Sequence, residues 1–528
     1  MDRLPLELIV QIAGHIDPRH KGKLTRPKLA TVSRSWQYAI ESHTFQSLCM
    51  SHHELPEFRA AFRDNAPRQS FLRELRWDIV LPPYESIYEN DRDRALNSKV
   101  FTDGVAGLLQ ELSTWPSEGR TLALSLGTCK PIQCTKRKPH RPCPRNHSPS
   151  YGRRCEDRRY ICTYLHLDKL PAAPVDVVTS LNVCTHPRSL DPASLFLLAG
   201  AAFPRLGHVR LWYKDTFFYH GLRRAQLGAF AAAVARFETP AEDVEIHMDV
   251  SDVDQRARLP DLSSEVTTCS ALREMLRRNS HIRRLRYTGP VDASLFWDPH
   301  SLSLSQGDND EWKNVRELDI RFHDYTLSGQ WLFKGLRVPH HHCQQEDEEE
   351  DEAPLPPEHP SVSLFPIGYN YNQNQEMDDE HDHVMRILHS GREQQEEEAD
   401  STNEESPPTN LRSKPRDKTP FRTIPRSTII LPLLSSLARR IAHTPSLRRI
   451  TLRPDSDSDG GGVFFHFAYL AGGEKSKSSR MDKYIISAQN KGNPESRARV
   501  FLHVKGGWEP DSGTMELLRG VGGGRMRL

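Results

Sequence analysis

The chain has 528 residues, of which 37% are hydrophobic, and its mean hydropathy is −0.64. At about 100 to 200 residues per domain this length predicts two to four folded units, and the low mean hydropathy predicts that some segments stay solvated. The formal net charge of +1 argues against a charge field over the whole chain that would attract nucleic acid or a membrane surface, although opposite local blocks cancel in that sum.

The cysteines and the amino terminus indicate the compartment. Nine cysteines in a chain of this length are too sparse for a secreted disulfide scaffold and favour a reducing environment. Met1–Pro5 lacks the basic and apolar regions of a secretory signal, and the longest apolar stretch, Ala193–Phe203, is far shorter than the roughly 20 residues that span a bilayer. We therefore expect a protein of the cytoplasm, the nucleus or both, without membrane contact.

The first fifty residues show helical periodicity. Asp2 and Pro5 are suited to the start of a helix, and a second amphipathic run follows a polar loop. The two apolar stripes are Leu4, Leu8, Ile12 and Ile16, and then Leu29, Val32, Trp36, Ala39 and Ile40. Two or three such short helices make too small a core to be stable alone, so we expect a partner. Periodicity alone fits a helical cap on the next domain equally well.

The order of residue types in this segment is more specific than its periodicity. The pattern is Leu4-Pro5-x-Glu7-Leu8, Ile12, Leu29, Val32-Ser33-Arg34-x-Trp36, Phe45 and Leu48. It resembles the F-box, the motif through which substrate receptors dock on the Skp-type adaptor of cullin-RING ubiquitin ligases. The resemblance implies that Leu4, Pro5 and Leu8 pack on the adaptor, while Ile12, Val32 and Trp36 build or flank that surface. Such residues act as apolar anchors in helix-in-groove binding and take no part in chemistry.

Helical and strand-like patterns alternate after this segment. The predicted strands are centred on Leu75, Leu124, Val178, Val209, Ile246, Leu285, Leu318 and Ile450, with Val178 at the end of a segment over 175–178. Helical patterns precede several of them, which predicts a parallel sheet lined with helices. Two further strands, over 463–470 and 499–504, are expected to pair antiparallel, and a short helix over 508–519 follows.

The strand spacing is longer and less regular than the 20 to 29 residues or so of a leucine-rich repeat, and two inserts interrupt it. The region resembles the degenerate leucine-rich repeats that follow the F-box in many receptors, including fungal ones. We therefore expect an α/β fold: a short all-helical F-box, then an irregular solenoid of alternating helices and strands with long disordered inserts. The predicted units are 1–50, 51–339 with a basic cysteine-containing loop at about 130–160, an acidic proline-rich insert at 340–425, and 426–528. A compact α/β domain without repeat geometry is the alternative.

The two inserts carry opposite charge, and neither forms a recognisable site. Residues 130–159 are strongly basic and residues 346–352 are all acidic, as is usual for solvated loops. The cysteines of the basic insert lack the close pairs of a zinc site, and the insert has too few aromatic residues to stack bases, so we expect no metal and no specific nucleic-acid binding. Phosphate-binding, nucleophile-elbow, metalloprotease and kinase motifs do not occur, so no cofactor and no catalytic residue is predicted.

The resemblance to the F-box, together with the lack of catalytic motifs, implies a non-catalytic subunit of a Skp-cullin-F-box ubiquitin ligase. The F-box would dock on the Skp-type adaptor, and through it on a cullin-RING ligase, while the repeat region recruits a protein substrate that the sequence does not identify. The alternative is a leucine-rich-repeat-like scaffold that acts outside a ubiquitin ligase. An enzyme with an unrecognised site is a third possibility.

Overall fold

The computed structural model of the chain describes most of the helices and strands that the sequence predicts. It covers residues 4–16, 26–82, 91–129, 164–170, 173–185, 188–214, 220–249, 261–262, 267–297, 312–335, 422–455, 465–472, 474, 498–504, 508–521 and 526–527. The basic insert at 130–160 lies outside the described residues, and so does the acidic insert at 340–425 apart from its last four residues, Arg422–Pro425, which form a strand.

The amino-terminal segment forms three helices, as the periodicity predicts: α1 (Leu6–His15), α2 (Arg26–Ala30) and α3 (Arg34–Thr44). The chain enters α1 at Pro5, whose fixed φ suits a helix start, and Asp2, the predicted cap, lies outside the described residues. Ser33 caps α3 by accepting a hydrogen bond from the Trp36 N–H at 3.4 Å.

A twelve-stranded sheet makes up most of the rest of the described chain. Neighbouring strands follow the order in which they occur in the sequence, from β1 to β8, and then β11 to β14; β9 and β10 form a separate antiparallel pair. The strands are β1 (Ser47–Ser51), β2 (Glu74–Val80), β3 (Leu122–Cys129), β4 (Val178–Cys184), β5 (His208–Lys214), β6 (Asp243–Asp249), β7 (Arg284–Gly289), β8 (Glu317–Phe322), β9 (Phe333–Gly335), β10 (Arg422–Pro425), β11 (Arg449–Pro454), β12 (Phe465–Leu470), β13 (Arg499–Val504) and β14 (Met526–Arg527).

The strands from β1 through β8 to β11 run parallel, whereas β11–β12 and β12–β13 are antiparallel pairs. Helices lie between many of the parallel strands, since a parallel pair needs a crossover connection. These helices are α4 (Leu55–Phe62), α5 (Ala66–Phe71), α6 (Asp91–Leu112), α7 (Pro192–Ala201), α8 (His220–Arg236), α9 (Thr268–Arg278) and α10 (Ser427–His443), and α11 (Ser512–Val521) follows β13.

One face of the sheet carries the main hydrophobic core. Along β5 the residues alternate between buried and half-exposed, so Val209, Leu211 and Tyr213 join the core while the side chains between them do not. The Tyr213 ring stacks on Phe230 of α8, with the ring centroids 4.5 Å apart. The same alternation in β8 and β11 leaves an opposite side over β5 to β8, which we call the open face; most of its side chains are half-exposed, while Glu245 and Thr288 are buried.

The predicted parallel sheet and its antiparallel end are therefore confirmed, while two details of the prediction were wrong. The predicted strand over 175–178 lies instead at Val178–Cys184, where Leu181 and Val183 alternate with polar residues. Phe45 and Leu48, the last two residues of the amino-terminal pattern, do not continue the helices: Phe45 precedes β1 and Leu48 lies within it, because both pack against the core of the sheet. No helix of the described residues has both the length and the apolar character needed to cross a membrane.

Candidate functional site

The three amino-terminal helices enclose a small hydrophobic core of their own, separate from the core of the sheet. Its buried members are Ile9, Ala13, Leu29, Trp36, Ala39 and Ile40. His43 of α3 adds a polar link, because its ring Nε2 lies 2.8 Å from the carbonyl oxygen of Val10. We call residues 4–44 the helical unit.

The other side of α1 is apolar but exposed. Exposed fractions are 41% for Leu4, 44% for Leu8, 42% for Ile12 and 49% for Val32. Among the described residues, six of the nine large hydrophobic side chains that are exposed lie between residues 4 and 38, which is a concentration rather than the usual scatter. Leu8 and Ile12 stand one helical turn apart, so they form a stripe on the surface of α1.

The six residues that the F-box resemblance singles out therefore fall into two groups. Leu4, Pro5, Leu8, Ile12 and Val32 are exposed on the helical unit. Trp36 is only 5% exposed and lies in the small core, so it supports the shape of the unit from inside. Its indole Nε1 has no hydrogen-bond partner within the described chain.

Charged and aromatic contacts attach the helical unit to the sheet. Arg68 of α5 donates two hydrogen bonds to the Glu41 carboxylate of α3, at 2.7 and 3.1 Å. The hydrogen bond from Arg68 holds the pKa of Glu41 below its usual value against the opposing effect of burial. Next to this pair, the rings of Tyr38 and Phe71 meet edge to face at 4.9 Å. These contacts set the orientation of the helical unit on the sheet.

A second candidate surface is the open face of β5 to β8, where strand register aligns charged residues in rows. In the middle row, Glu245 accepts hydrogen bonds from Arg210 at 2.8 Å and from Arg286 at 3.0 Å, on the strands to either side. The ring Nε2 of His247 lies 2.6 Å from the same carboxylate. Burial raises the pKa of Glu245, but the hydrogen bonds from His247 and Arg210 outweigh it, so its pKa lies well below the usual range.

The row at the amino ends of these strands repeats the alternation of charge. Arg284 of β7 pairs with Asp243 of β6 at 2.9 Å and with Glu317 of β8 at 2.8 Å. Burial also opposes ionisation of Asp243, yet hydrogen bonding from His208 and the nearby arginines keep the pKa of Asp243 below its usual value. Within each of these two rows, the positive and negative charges therefore compensate one another.

The third row contains aromatic and basic side chains. The indole of Trp212 stacks on the imidazole of His247, with centroids 4.2 Å apart and planes 8° from parallel. Register continues this row through Thr288 of β7 to Arg321 of β8 and Arg453 of β11. We call it the Trp212 row.

One cluster brings together serine, aspartate and histidine, but in an order that does not suit catalysis. The Asp191 carboxylate lies between the two others: it accepts from the Ser194 hydroxyl and lies 3.1 Å from His166 Nδ1. In a catalytic triad the histidine stands between the serine and the acid, so this geometry cannot activate Ser194. Asp191 instead caps α7 by accepting from the Ser194 N–H. Within the described chain no group of three or more histidine, cysteine or acidic side chains is placed to hold a metal ion.

Sequence reasoning identified the exposed apolar residues of the helical unit but missed the charged rows of the open face. The signal was present as alternation, for example Asp243-x-Glu245 and Arg284-x-Arg286 between apolar residues. This alternation did not predict the ion pairs, because the two partners of each pair lie on different strands and only the strand register brings them together. No protein-family model and no curated protein matches this chain.

Proposed function

We propose that this chain is a substrate-receptor subunit of a Skp-cullin-F-box ubiquitin ligase. The observation that carries the proposal is the exposure of Leu8 and Ile12 on α1, and of Leu4 just before it, while the opposite side of the helix forms a core with Trp36. An exposed apolar stripe of this size is suited to a groove on another protein, and full burial of each leucine contributes about 1.5 to 3 kcal/mol. The resemblance of this segment to the F-box names the partner as the Skp-type adaptor.

The sheet supports the second half of the proposal. Parallel strands that follow one another in sequence order, with helices between them, are typical of stacked helix–strand repeats. We therefore take the sheet domain as an irregular leucine-rich-repeat-like solenoid, which would hold a protein substrate on its open face. A repeat surface of this kind recognises partners by the side chains that its strands present.

The mechanism would be proximity rather than chemistry in this chain. The helical unit would bind the adaptor, and through it the cullin-RING ligase, while the sheet holds the substrate. Placing an acceptor lysine close to the conjugating enzyme raises its effective concentration. The Glu41–Arg68 pair would support this function, because it joins the helical unit to α5.

Co-purification of the full-length chain with the Skp-type adaptor tests the proposal. Leu8→Asp should abolish the complex, because it places a charge in the apolar contact. Leu96→Asp is the matched control, since Leu96 on α6 is also 44% exposed and lies outside the helical unit. Loss of the complex in Leu8→Asp alone would support the docking assignment, whereas adaptor binding by Leu8→Asp as strong as that of the wild type would contradict it.

The same exposed stripe also fits the runner-up, a scaffold that acts outside any ligase and uses the helical unit as a contact between two copies. Sedimentation of the purified chain distinguishes the two functions. A dimer of the wild type that dissociates in Leu8→Asp, together with no adaptor complex, would favour the scaffold.

A further inference from the structure

The three rows of the open face differ in charge balance between β5 and β8. In the two rows that contain Asp243 and Glu245, acidic and basic residues alternate from strand to strand and form ion pairs. The Trp212 row has no acidic residue at any of its positions: Trp212, His247, Thr288 and Arg321. Positive charge is therefore compensated within two rows and not within the third.

Arg321 is the available cation of this row. It is half-buried and makes no ion pair with any residue that the structure describes. The guanidinium fork of Arg321 matches the geometry of a carboxylate or a phosphate, so it attracts either group.

Trp212 lies at the other end of the row as a preformed apolar platform. Its indole is half-exposed and held parallel to His247, whose own position is fixed by Glu245. A tryptophan immobilised in this way loses little side-chain entropy when a partner covers it, which is why tryptophan and arginine dominate protein-binding hot spots.

The spacing between the two ends fits an extended peptide. Trp212 on β5 and Arg321 on β8 are three strand steps apart, which is about 14 Å at roughly 4.8 Å per step. An extended chain covers about 3.4 Å per residue, so two side chains four residues apart point the same way and lie about 14 Å from each other.

We propose that the Trp212 row binds an extended acidic segment of a partner protein, with an apolar side chain of that segment on Trp212 and a carboxylate four residues away at Arg321. That the partner is a ubiquitination substrate rests on the proposed function; the binding chemistry itself does not. A phosphate at the same position would meet the same guanidinium of Arg321.

A spot array of synthetic peptides tests the inference with the full-length chain. The peptides have about 12 residues, are built from Ser and Thr, and carry Phe at the fourth position with Glu, phosphoserine, Gln or Lys at the eighth. The wild type should bind the Glu peptide about tenfold more strongly than the Lys peptide, a ratio that one satisfied charge pair supplies. Moving Glu to the sixth position should remove most of this preference.

Variants assign the effect to the row. Arg321→Glu should invert the preference toward the Lys peptide, Arg321→Gln should abolish it, and Trp212→Ala should weaken binding of every peptide with Phe. Arg283→Glu is the matched control, because Arg283 is exposed before β7 and pairs only with the equally exposed Glu242. Equal binding of Glu and Lys peptides by the wild type, or an unchanged preference in Arg321→Glu and Arg321→Gln, would overturn the inference.

Adaptor co-purification on the same preparations separates the two proposals. Adaptor binding without peptide discrimination would overturn only the inference about the Trp212 row. Peptide discrimination without adaptor binding would overturn only the ligase function. Stronger binding of phosphoserine than of Glu would identify phosphate as the preferred form of the same acidic group.

Discussion

The Arg68 guanidinium on α5 holds both oxygens of the Glu41 carboxylate on α3, at 2.7 and 3.1 Å. The same guanidinium lies 5.0 Å from the centroid of the Phe45 ring, so it contacts the chain where the helical unit passes into β1. Both partners are only about a quarter exposed or less. This pair is therefore the main polar connection that the described residues make between the helical unit and the sheet.

We expect a double-mutant cycle with Glu41→Gln and Arg68→Ala to give a coupling free energy of about 1 to 2 kcal/mol. A bidentate, partly buried ion pair has a larger coupling free energy than an exposed pair. The measurement is chemical unfolding of the two single variants and the double variant. The Glu242–Arg283 pair, at 3.1 Å and with both side chains 52% exposed, is the control and should couple by less than about 0.5 kcal/mol. Equal coupling in the two pairs would show that Arg68 does not join the two parts.

Substitutions at Trp36 and Leu8 should separate an effect on folding from an effect on the proposed adaptor binding. Trp36→Ala should destabilise the helical unit by about 3 to 5 kcal/mol, because it removes the largest side chain from a core of only six buried residues. Leu8→Asp should change its stability by no more than about 0.5 kcal/mol, because that side chain is 44% exposed and is not part of the small core. Amide hydrogen exchange over α1 and α3 measures both effects. Loss of protection in Leu8→Asp would place Leu8 in the core and remove it from the proposed docking surface.

The sequence predicted where the helices and strands lie better than which side of each one is buried. Alternation of helical and strand periods was enough to place most strands and to infer a parallel sheet, because each apolar pattern repeats within a few residues. The apolar stripe through Leu4, Leu8 and Ile12 predicted helix α1, but the buried side of this helix carries Ile9 and Ala13. Both sides of this short helix have apolar residues, so only the position of Trp36 decides which side is the core.

The open face was less predictable for a different reason. Glu245 accepts from Arg210 and Arg286, which are 35 and 41 residues away in the chain. The register that aligns them depends on how every strand between β5 and β7 pairs, and a shift of one residue would turn these side chains toward the core. Periodicity predicts that alternate residues face outward, but it does not predict which outward residues meet.

Glu245 should be the most sensitive charged position of the sheet. Its side chain is 7% exposed and accepts from two arginines, so Glu245→Ala would leave both guanidinium groups without their acceptor. We expect a loss of about 2 kcal/mol in the free energy of unfolding, since the arginines are still 34 to 40% exposed and regain some water. Asp319→Ala, which removes a carboxylate from the same row on β8, should cost less. A larger loss from Asp319→Ala than from Glu245→Ala would contradict the central role of Glu245.

His52 should make the stability of the chain depend on pH in the mildly acidic range. Burial, and then the charge of neighbouring His53, lower the pKa of His52 to about 4. Its Nδ1 accepts a hydrogen bond from the Val80 N–H at 3.1 Å, and this bond requires the neutral ring. The unfolded state, in which the pKa of His52 is about 6.5, therefore binds more protons between these two values. The stabilisation is complete above pH 6.5 and is lost as the pH falls toward 4.

Denaturant unfolding between pH 7 and pH 4.5 measures this dependence, and His52→Asn isolates it. The Asn oxygen can accept from Val80 without titrating, so the variant should lose less stability over this range than the wild type does. His281→Asn, which replaces an exposed histidine before β7, should keep the wild-type dependence. The two variants should therefore differ in how their stability depends on pH, because the hydrogen bond from the Val80 N–H in β2 requires a neutral His52 ring. Identical pH profiles for the two variants would mean that protonation of His52 does not limit the stability of the sheet edge formed by β1 and β2.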